Sequence, residues 1–384
     1  PELGGHLLTR PLDIDGKPAL EWVEQVRSEL AAKSNVTIKT RAQLVAYYDM
    51  NFLGIWEKVT NHLDEAPTNA PRERLYKMRA KQVVIATGAH ERPLVFADND
   101  RPGVMLAGAV ETYIQRYGVT PGKRVVAFVN NDYAYGSILA MADAGMEIAT
   151  ICDLRQEPNG PLTEAARERG FEIRAGQAVV GVKGAQGVKA AQVALLNEDA
   201  SQVVGSAFDI DCDLIAHSAG WTPAVHAHCM ARGKLDWSDQ MSCFLPGEKS
   251  DANPNVSVGA CNGQMSTFEA LEAGHAGAQE ALAALGMSSD VLASSCDVEP
   301  TGDHRIVWLV PGIKPLGHGK AKHFIDYQND STAADLKLAV REGMKSIEHV
   351  KRYTTTGMAT DQGKTSNLNA IGIIAETLDV EPQK

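Results

Sequence analysis

Lys81-Gln-Val-Val-Ile-Ala-Thr-Gly-Ala-His-Glu-Arg-Pro93 is the stretch that decides the fold. Its apolar run, Val83–Ile85, is typical of a strand buried on both faces. The small residues that follow, Ala86–Gly88, let a ligand approach the backbone closely. Ligands of open α/β sheets lie outside the carboxyl ends of the strands, so the stretch predicts a core strand that ends at a binding site. A core strand that ends in an ordinary turn is the alternative interpretation.

The motifs on either side of this stretch come in a recognisable order. Asn99-Asp-Arg-Pro-Gly-Val104 follows it, then a helical run, then Pro121-Gly-Lys-Arg-Val-Val126. This order resembles the flavoproteins that contain two dinucleotide-binding domains. In that family the Ala-Thr-Gly turn packs against a bound dinucleotide, and the resemblance implies the same here.

Length and composition restrict the possible functions. The chain has 384 residues and a formal net charge of −11, which argues against a nucleic-acid or anionic-membrane surface. No apolar run is long enough to span a bilayer, and the start does not read as a secretory signal. The six cysteines are scattered without a C-x-x-C pair, so they indicate no zinc site, iron–sulfur cluster or redox dithiol. Free thiols in an acidic chain favour a cytoplasmic location.

The first ninety residues predict the body of a dinucleotide domain. Residues 18–33 have helical spacing, and 36–40 alternate like a strand. Residues 45–60 read as a hairpin, and a strand is expected near 75–78. In the resembling flavoproteins a strand, a G-x-G-x-x-G turn, a helix and a second strand precede the glycine pair seen here at Gly4-Gly5. We therefore expect this sequence to lack that N-terminal piece. A flexible glycine start is the alternative.

A second βαβ pattern follows. Residues 124–129 predict a buried strand, and Asn130-Asn-Asp-Tyr-Ala-Tyr-Gly136 stands at the phosphate-loop position. Asp153 ends the next strand, at about the ~20-residue spacing of a ribose-binding acid. Asparagine stands where the fingerprint needs glycine, so its side chain would meet the pyrophosphate. The pattern therefore predicts a Rossmann-like domain that binds no nucleotide.

A third motif is Asn255-Val-Ser-Val-Gly-Ala-Cys-Asn-Gly-Gln-Met-Ser-Thr267. In flavin-binding relatives the corresponding strand ends in Gly-Asp, and a helix N-terminus faces the pyrophosphate. Here Gly259 is followed by Ala260, so the carboxylate that bonds the ribityl chain is absent. A helix is expected over 267–285. The pattern argues against FAD and leaves room for a different dinucleotide.

The remaining motifs have structural interpretations. His217, His226 and His228 lack the carboxylate or thiolate spacing of a metal site, so core or loop histidines are predicted. Residues 303–310 read as a short strand. Thr332 and Asp335 form a T-x-x-D capping pattern for a helix.

The C-terminal stretches carry a more specific resemblance. They are Phe-Ile-Asp-Tyr-Gln-Asn-Asp (324–330), Arg-Glu-Gly-x-x-Ser-Ile-Glu-His-Val-Lys-Arg-Tyr-Thr-Thr (341–355) and Gly-Met-Ala-Thr-Asp-Gln-Gly-Lys-Thr-Ser-Asn (357–367). Together with the opening Pro-Glu-Leu-Gly-Gly and the Tyr48-Asp49-x-Asn51 motif, they resemble the α subunit of heterotetrameric sarcosine oxidase. The resemblance covers essentially the whole chain.

This resemblance implies an α/β fold with two Rossmann-like domains of the flavoprotein disulfide-reductase type and a small helical domain. The helical domain resembles a [2Fe–2S] ferredoxin-like fold, but Asp361-Gln362-Gly363 stands where that fold has Cys-Gln-Gly, so four thiolate ligands are not available. The expected parts are residues 1–115 and 216–297 for the first dinucleotide domain, 116–215 for the second and 298–384 for the helical domain. A folate-binding domain would follow in the family.

The resemblance also implies a function. The family demethylates sarcosine oxidatively to glycine with hydrogen peroxide, and the one-carbon unit leaves as formaldehyde or methylene-tetrahydrofolate. FAD lies in the β subunit, FMN lies at the interface with β, and the α subunit binds NAD. The expected partners are the β, γ and δ subunits, with neither nucleic acid nor membrane, in a flavoprotein complex of sarcosine catabolism and one-carbon metabolism.

By motif position, a set of small or turn residues is expected to hold NAD, whether the NAD is structural or redox-active. No catalytic or metal-binding residue is assigned in this chain. The NAD set is Gly4, Gly5, His6, Val45, Ala86, Thr87, Gly88, Gly259, Ala260, Gly263, Ser266 and Thr267.

Two other functions compete with this interpretation. A stand-alone NAD(P)H-dependent FAD oxidoreductase of the thioredoxin-reductase type would need FAD, an intact second phosphate loop and usually a redox cysteine pair. A non-catalytic scaffold subunit would only position its partners. Blocking the nucleotide groove separates the scaffold from the leading interpretation, because a scaffold would keep turnover intact.

Overall fold

The computed structural model describes residues 2–298, 302–318 and 320–383. The chain forms two compact units. Unit 1 comprises residues 1–89 and 223–299, and unit 2 comprises residues 90–222 and 300–384. Each unit is therefore built from two separate stretches of chain. The four-part division expected from the sequence stays a prediction, and its boundary residues 1 and 384 lie outside the described residues.

Nine α-helices are present in the described ranges. They are α1 (Ala19–Ala31), α2 (Ala107–Tyr117), α3 (Ala134–Asp143), α4 (Pro161–Glu168), α5 (His226–Met230), α6 (Thr267–Ala284), α7 (Ala333–Arg341), α8 (Ile347–Thr354) and α9 (Asn367–Leu378). Two short 3₁₀ turns cover Gly5–Leu8 and Gly259–Asn262.

The strands are mostly short. They are β1 (Asp13–Ile14), β2 (Lys17–Pro18), β3 (Ala42–Tyr48), β4 (Phe52–Lys58), β5 (Glu73–Arg79), β6 (Val83–Ile85), β7 (Ala89–Glu91), β8 (Val104–Leu106), β9 (Arg124–Val129), β10 (Glu147–Asp153), β11 (Ile173–Ala175), β12 (Gln177–Lys183), β13 (Ala190–Leu196), β14 (Val203–Asp211), β15 (Leu214–Ser218), β16 (Trp221–Pro223), β17 (Leu235–Ser238), β18 (Cys243–Pro246), β19 (Asn255–Ser257), β20 (Phe324–Asp326) and β21 (Ser331–Thr332).

Unit 1 contains an antiparallel sheet and a parallel strand pair. Strands β3, β4 and β5 form the antiparallel sheet, and β6 pairs in parallel with β19. The two sheets share a core that includes Tyr47 from β3, Leu53 from β4 and Ile85 from β6. The apolar run 83–85 therefore forms the predicted strand, and its carboxyl end is held next to that of β19.

Two strands predicted from the sequence are absent from the described residues. Residues 36–40 form an extended connection without a paired strand. The Lys39 ammonium group anchors it by donating to the Glu57 carboxylate at 3.0 Å and to the Tyr76 hydroxyl at 2.8 Å. Residues 303–310 make only an isolated bridge between His304 and Asn131. Alternation signals an extended backbone, but a strand also needs a neighbour that accepts its hydrogen bonds.

Unit 2 is organised by a five-stranded parallel sheet with the order β11-β10-β9-β15-β8. One face carries an apolar core with Phe96, Phe128 and Ile215, against which the antiparallel sheet β12-β13-β14 packs. The other face is covered by α2, α3 and α4, through residues such as Val110 and Ile138. This parallel sheet with a crossover helix is the predicted Rossmann-like arrangement.

The C-terminal helices belong to unit 2. Helix α7 begins with the predicted capping box, in which Thr332 Oγ1 accepts from the Asp335 N–H at 3.4 Å and the Asp335 carboxylate accepts from the Thr332 N–H at 2.8 Å. Helix α9 packs on Trp308, where a Cβ added at Gly372 would lie 2.0 Å from the indole ring. A glycine is thus needed for this close approach.

Helix α6 makes a similarly close approach to the end of β19 in unit 1. A Cβ added at Gly277 would lie 2.4 Å from Val258 Cγ1, whereas one added at Gly274 would meet no atom within 4 Å. We expect Gly277→Ala to destabilise the 384-residue chain by about 1–3 kcal/mol through overpacking. Gly274→Ala, the matched control on the same helix, should stabilise it by roughly 0.8–1 kcal/mol through helix propensity. Urea unfolding measures both, and equal stability of the two variants would contradict the packing argument.

Candidate nucleotide-binding site

The turn after β6 leaves its backbone open. Ala86 and Thr87 are exposed, and Gly88 has a φ of +73°, with no atom within 4 Å of the place that a Cβ would occupy. The Thr87 hydroxyl donates to the Ala224 carbonyl at 2.8 Å, and the Ala224 N–H donates to the Gly88 carbonyl at 2.9 Å. The turn is therefore fixed in place while one side of its backbone stays accessible.

The turn after β19 is built in the same way. The Val258 N–H donates to the Ile85 carbonyl at 2.9 Å, and the Cys261 thiol donates to the same carbonyl at 3.3 Å. Gly259 has a φ of +71°, and a Cβ there would come no closer than 3.9 Å to another side chain. Ala260, half-buried in the 3₁₀ turn, brings no charge to the groove. Two open glycine turns thus lie at the carboxyl ends of two paired parallel strands.

The N-terminus of α6 follows these turns and carries its own cap. Ser266 Oγ accepts from the Glu269 N–H at 3.2 Å, and the Glu269 carboxylate accepts from the Ser266 N–H at 3.1 Å. The carboxylate also accepts from the Ser266 hydroxyl at 3.0 Å. This S-x-x-E capping box places a negative charge at the positive end of the helix, which satisfies the helix dipole. The same capping box uses the Ser266 hydroxyl both as a donor and as an acceptor.

Val45 lies at an irregularity of the antiparallel sheet. The pairing of β3 with β4 shifts register between Leu44 and Ala46, so Val45 is left out of the paired ladder. Its side chain is 47% exposed. A β-bulge of this kind leaves backbone hydrogen-bonding groups available to a ligand. The neighbouring Tyr47 belongs to the same core as Ile85 and Cys261, which links this strand to the two glycine turns.

The first predicted turn packs elsewhere in unit 1. A Cβ at Gly4 would lie 3.3 Å from Leu8 and 3.9 Å from Val23 of α1, while Gly5 faces open space. Burial, with a smaller contribution from Arg10, lowers the pKa of His6 to about 4, so the ring is neutral near pH 7. The core of the unit contains Tyr47, Ile85 and Cys261, which are close in sequence to Val45 and the two glycine turns. The turn at residues 4–6 packs instead near α1.

The second nucleotide position, in unit 2, is closed by the protein itself. The loop after β9 directs Asp132 to the N-terminus of α4, where its carboxylate accepts from the Thr163 N–H at 2.8 Å and the Thr163 hydroxyl at 2.6 Å. Asn131 Oδ1 accepts from the Ala134 N–H at 2.9 Å at the start of α3. The donors that would bind a pyrophosphate are therefore used internally.

Residues 302–305, the closing segment, lie across this loop. The Arg305 N–H donates to the Asn130 carbonyl at 2.8 Å, and the Asn130 side chain donates back to the Arg305 carbonyl at 2.7 Å. A Cβ at Gly302 would lie 2.4 Å from Asp132 Cβ. The closing segment thus fills the space outside the carboxyl end of β9.

The acid at the ribose position is also occupied. The Asp153 carboxylate is fully buried and pairs with the Arg155 guanidinium at 2.7 Å. It also accepts from the Tyr135 hydroxyl at 2.7 Å. Burial raises the pKa of Tyr135, followed by the charge of Asp153, so the phenol stays a neutral donor. These contacts support the sequence-based prediction of a Rossmann-like domain without a nucleotide.

Two of the three histidines, His217 and His228, are buried and contact the backbone, while His226 is exposed at the start of α5. His217 Nδ1 accepts from the Leu94 N–H at 3.1 Å, and His228 Nε2 lies 2.9 Å from the Lys234 carbonyl. In the described part of the chain, His, Cys, Asp and Glu side chains form no group of three that could hold a metal ion. None of the described helices is both long and apolar enough to cross a bilayer.

In the helical domain, Asp361 stands where the resembling fold has a thiolate. The Asp361 carboxylate accepts from the Gly363 N–H at 3.0 Å and the Thr365 hydroxyl at 2.8 Å. The Asp326 carboxylate accepts from the Gly357 N–H at 2.7 Å. Hydrogen bonds to the backbone thus hold the loops together.

Sequence reasoning missed two features of these sites. The spacing of Ser266 and Glu269 already matches S-x-x-E, so the capping box could have been found. The closing segment had no such signal, because the groups that it joins, Asn130 and Arg305, are 175 positions apart.

Comparisons with known proteins show similarity to sarcosine oxidase subunits. A family model described as the sarcosine oxidase A3 domain matches residues 320–384. The chain is 37% identical over 385 residues to the sarcosine oxidase subunit alpha of Corynebacterium sp. (strain U-96), covering 99% of this chain and 39% of that protein. It is 37% identical over 389 residues to the subunit of the same name from Rhizobium meliloti (strain 1021), covering 99% of this chain and 36% of that protein. The chain thus spans well under half the length of these relatives.

The fold is also found among solved structures. The crystal structure of L-proline dehydrogenase from P. horikoshii superposes with a TM-score of 0.67 at 16% sequence identity, covering 99% of this chain and 68% of that one. This likeness supports the predicted two-domain flavoprotein fold.

Proposed function

Because this chain is a homologue of the sarcosine oxidase α subunits over 99% of its length, we propose that it forms the dinucleotide-binding part of such a subunit. In this proposal the chain binds NAD and acts within a multi-subunit oxidoreductase that demethylates sarcosine. The observation that carries the NAD proposal is the pair of open glycine turns, at Gly88 and Gly259, beside two parallel strands.

The proposed groove uses backbone more than side chains. Gly88 and Gly259 would let the dinucleotide approach the backbone, because neither position has a neighbour that a ligand would displace. The unpaired backbone at Val45 would offer hydrogen bonds to a base edge. Ala260 removes the carboxylate that a ribityl chain would need, which favours NAD over FAD. When bound, NAD supplies a nicotinamide ring that can accept a hydride.

The cap of α6 changes the expected phosphate contact. Since the Glu269 carboxylate lies at the first turn of the helix, a pyrophosphate on the helix axis would meet a like charge. We therefore place the phosphate contact on the backbone of Gly259–Gly263, with Ser266 and Thr267 supporting that turn. Gly4, Gly5 and His6 would contribute from the turn beside α1.

The chemistry of the whole complex goes beyond this groove. In the proposal, sarcosine is oxidised at FAD in a β subunit, and FMN lies at the interface with β. The products are glycine, hydrogen peroxide and formaldehyde or methylene-tetrahydrofolate. The partners are β, γ and δ subunits. The proposal gives this chain a binding and positioning role and assigns it no catalytic acid, base or nucleophile.

Identification of the released nucleotide tests the cofactor. The full-length protein, purified with any subunits that it retains, is denatured, and the groove of this chain is assigned by comparison with a Gly88 variant. Loss of NAD from the variant supports the proposal. Loss of FAD would favour the stand-alone flavin reductase, and no difference in nucleotide content would overturn the groove assignment.

Gly88→Val gives the sharpest form of this test. The added side chain would fill the open turn and strain a left-handed backbone, so we expect at least a 10-fold loss of NAD retention, equivalent to about 1.4 kcal/mol. Gly286→Val is the matched control, because Gly286 also has a positive φ of +72° and an open Cβ position in unit 1 but lies outside the groove. The control should keep its NAD.

The same variant separates the scaffold function from NAD-dependent action. If NAD supports turnover, Gly88→Val should lower sarcosine oxidation along with NAD content. A pure scaffold would lose NAD and keep its turnover. The flavin-reductase alternative also needs the second nucleotide position, which the closing segment and Asp132 fill.

A further inference from the structure

A cavity of about 240 Å³ is lined by residues of unit 2 alone, and none of them belongs to the proposed NAD set. It borders the carboxyl ends of β15 and β8, where His217 is paired in register with Leu106. Small-molecule ligands of parallel sheets bind at this end of the strands. The lining residues are Pro93, Asn99, Asp100, Val104, Met105, Leu106, His217, Tyr327 and Thr365.

His217 supplies a hydrogen-bond donor to this cavity. Its side chain is only 3% exposed, and its Nδ1 accepts from the Leu94 N–H at 3.1 Å. Burial lowers the pKa of His217 to about 3, so the ring is neutral and its proton is on Nε2. No acceptor for this proton is found among the residues that the structure describes. Since His217 lines the cavity, this N–H can donate to a ligand acceptor there.

Two further polar groups border the cavity. The Tyr327 hydroxyl and the Asp100 carboxylate lack hydrogen-bond or ion-pair partners within the described ranges. Tyr327 is 40% exposed, and its phenol is a neutral hydrogen-bond donor at pH 7. Asn99 is already used, since its amide bonds the Phe324 carbonyl at 2.8 Å and the Phe324 N–H at 2.9 Å.

Charge and size define the class of ligand. Among the described residues that line the cavity there is one carboxylate and no lysine or arginine, so a phosphate or another plain anion is disfavoured. The wall of Val104–Leu106 is apolar. Because the volume is below the roughly 300–1,000 Å³ typical of drug-sized sites, the ligand has few heavy atoms.

We propose that this cavity binds a small amino-acid-like zwitterion. The ammonium group pairs with Asp100, the carboxylate accepts from the His217 Nε2–H and the Tyr327 hydroxyl, and the carbon chain contacts Val104–Leu106. The proposal does not rest on the NAD groove, because its residues belong to the other unit.

Calorimetry with defined probes tests the proposal on the full-length protein with any subunits that it retains. Glycine and β-alanine are the zwitterionic probes. Acetate carries only the carboxylate and ethylamine only the ammonium group. We expect the zwitterions to bind with a dissociation constant of about 1 mM and either half-probe at least 10-fold more weakly. No binding of either zwitterion at about 50 mM, or equal binding of acetate, would overturn the proposal.

Two conservative substitutions test whether the heat of binding measured by calorimetry arises from this cavity. Asp100→Asn removes the charge of an exposed residue, and Tyr327→Phe removes a hydroxyl that holds nothing in the described structure, so both should fold normally. Each substitution should raise the dissociation constant of the zwitterionic probes by roughly 10-fold or more. Asp64→Asn and Tyr117→Phe, at exposed positions outside the cavity, should leave the affinity unchanged. Unchanged affinity in Asp100→Asn and Tyr327→Phe would show that the probe binds elsewhere.

Discussion

Replacing Arg155 with methionine is expected to destabilise unit 2 by about 3–5 kcal/mol, because it leaves a buried carboxylate without its counter-charge. Arg155 is 3% exposed and pairs with Asp153 at 2.7 Å and with Asp303 at 2.9 Å. It also donates to Thr163 Oγ1 at 3.2 Å. After the substitution, Asp153 would keep only the Tyr135 hydroxyl and a backbone N–H as donors. Chemical denaturation followed by circular dichroism measures the loss.

Two further variants show whether the charge is the cause. The double variant Asp153→Asn with Arg155→Met removes both charges, so it should recover a large part of the lost stability. Arg169→Met breaks the ion pair between Arg169 and Asp143, whose side chains are 43% and 61% exposed. It should cost no more than about 1 kcal/mol. If Arg155→Met cost as little as Arg169→Met, the buried pair would not stabilise the fold.

Acidification is expected to weaken unit 2 through His217. Burial lowers its pKa in the folded protein to about 3, from an ordinary 6.5 in the unfolded chain. The unfolded chain therefore takes up a proton first as the pH falls, so stability is full above the unfolded pKa and is lost between the two values. At about pH 5 the expected loss from this residue is ~2 kcal/mol, and at about pH 4 it is ~3.4 kcal/mol.

The contribution of His217 is measured as a difference between proteins. His217→Asn keeps an acceptor for the Leu94 N–H but does not titrate in this range, so its stability should fall less steeply with pH than that of the unmodified protein. The same change at exposed His62 should leave the pH profile as it was. Parallel profiles for the unmodified protein and His217→Asn would show that His217 does not cause the acid sensitivity.

Local sequence patterns were sufficient to predict the structure where a short segment determines its own conformation. The run Val83–Ile85 became the predicted strand, and the small residues after it became an open turn with Gly88 at positive φ. The strand is not buried on both faces as predicted, because Ile85 is buried while Val84 is 45% exposed. The pair Thr332 and Asp335 formed the predicted capping box. These outcomes depend on near neighbours, for which spacing along the chain is a direct guide.

The features that the sequence did not predict depend on contacts between residues that are far apart in the chain. The sequence marked Asn130 and Asp153 as positions of a degraded nucleotide site, but it did not show that Arg305 and Arg155 occupy their hydrogen-bonding groups. Residues 36–40 alternate correctly for a strand and still lack a partner strand. The sequence does not distinguish His217 from His226 and His228, and only the fold shows that His217 lines a cavity. The NAD residues stay a prediction until nucleotide binding is measured.

The closing segment also has a consequence for the order in which the chain is made. Asn130 bonds Arg305 across 175 positions, so a ribosome must synthesise well over a hundred further residues before the loop after β9 obtains its final partner. Closing so large a loop carries an entropic cost and slows the search for the native contact. During synthesis, the Asn130 side chain therefore cannot make its final hydrogen bond until the chain has reached Arg305.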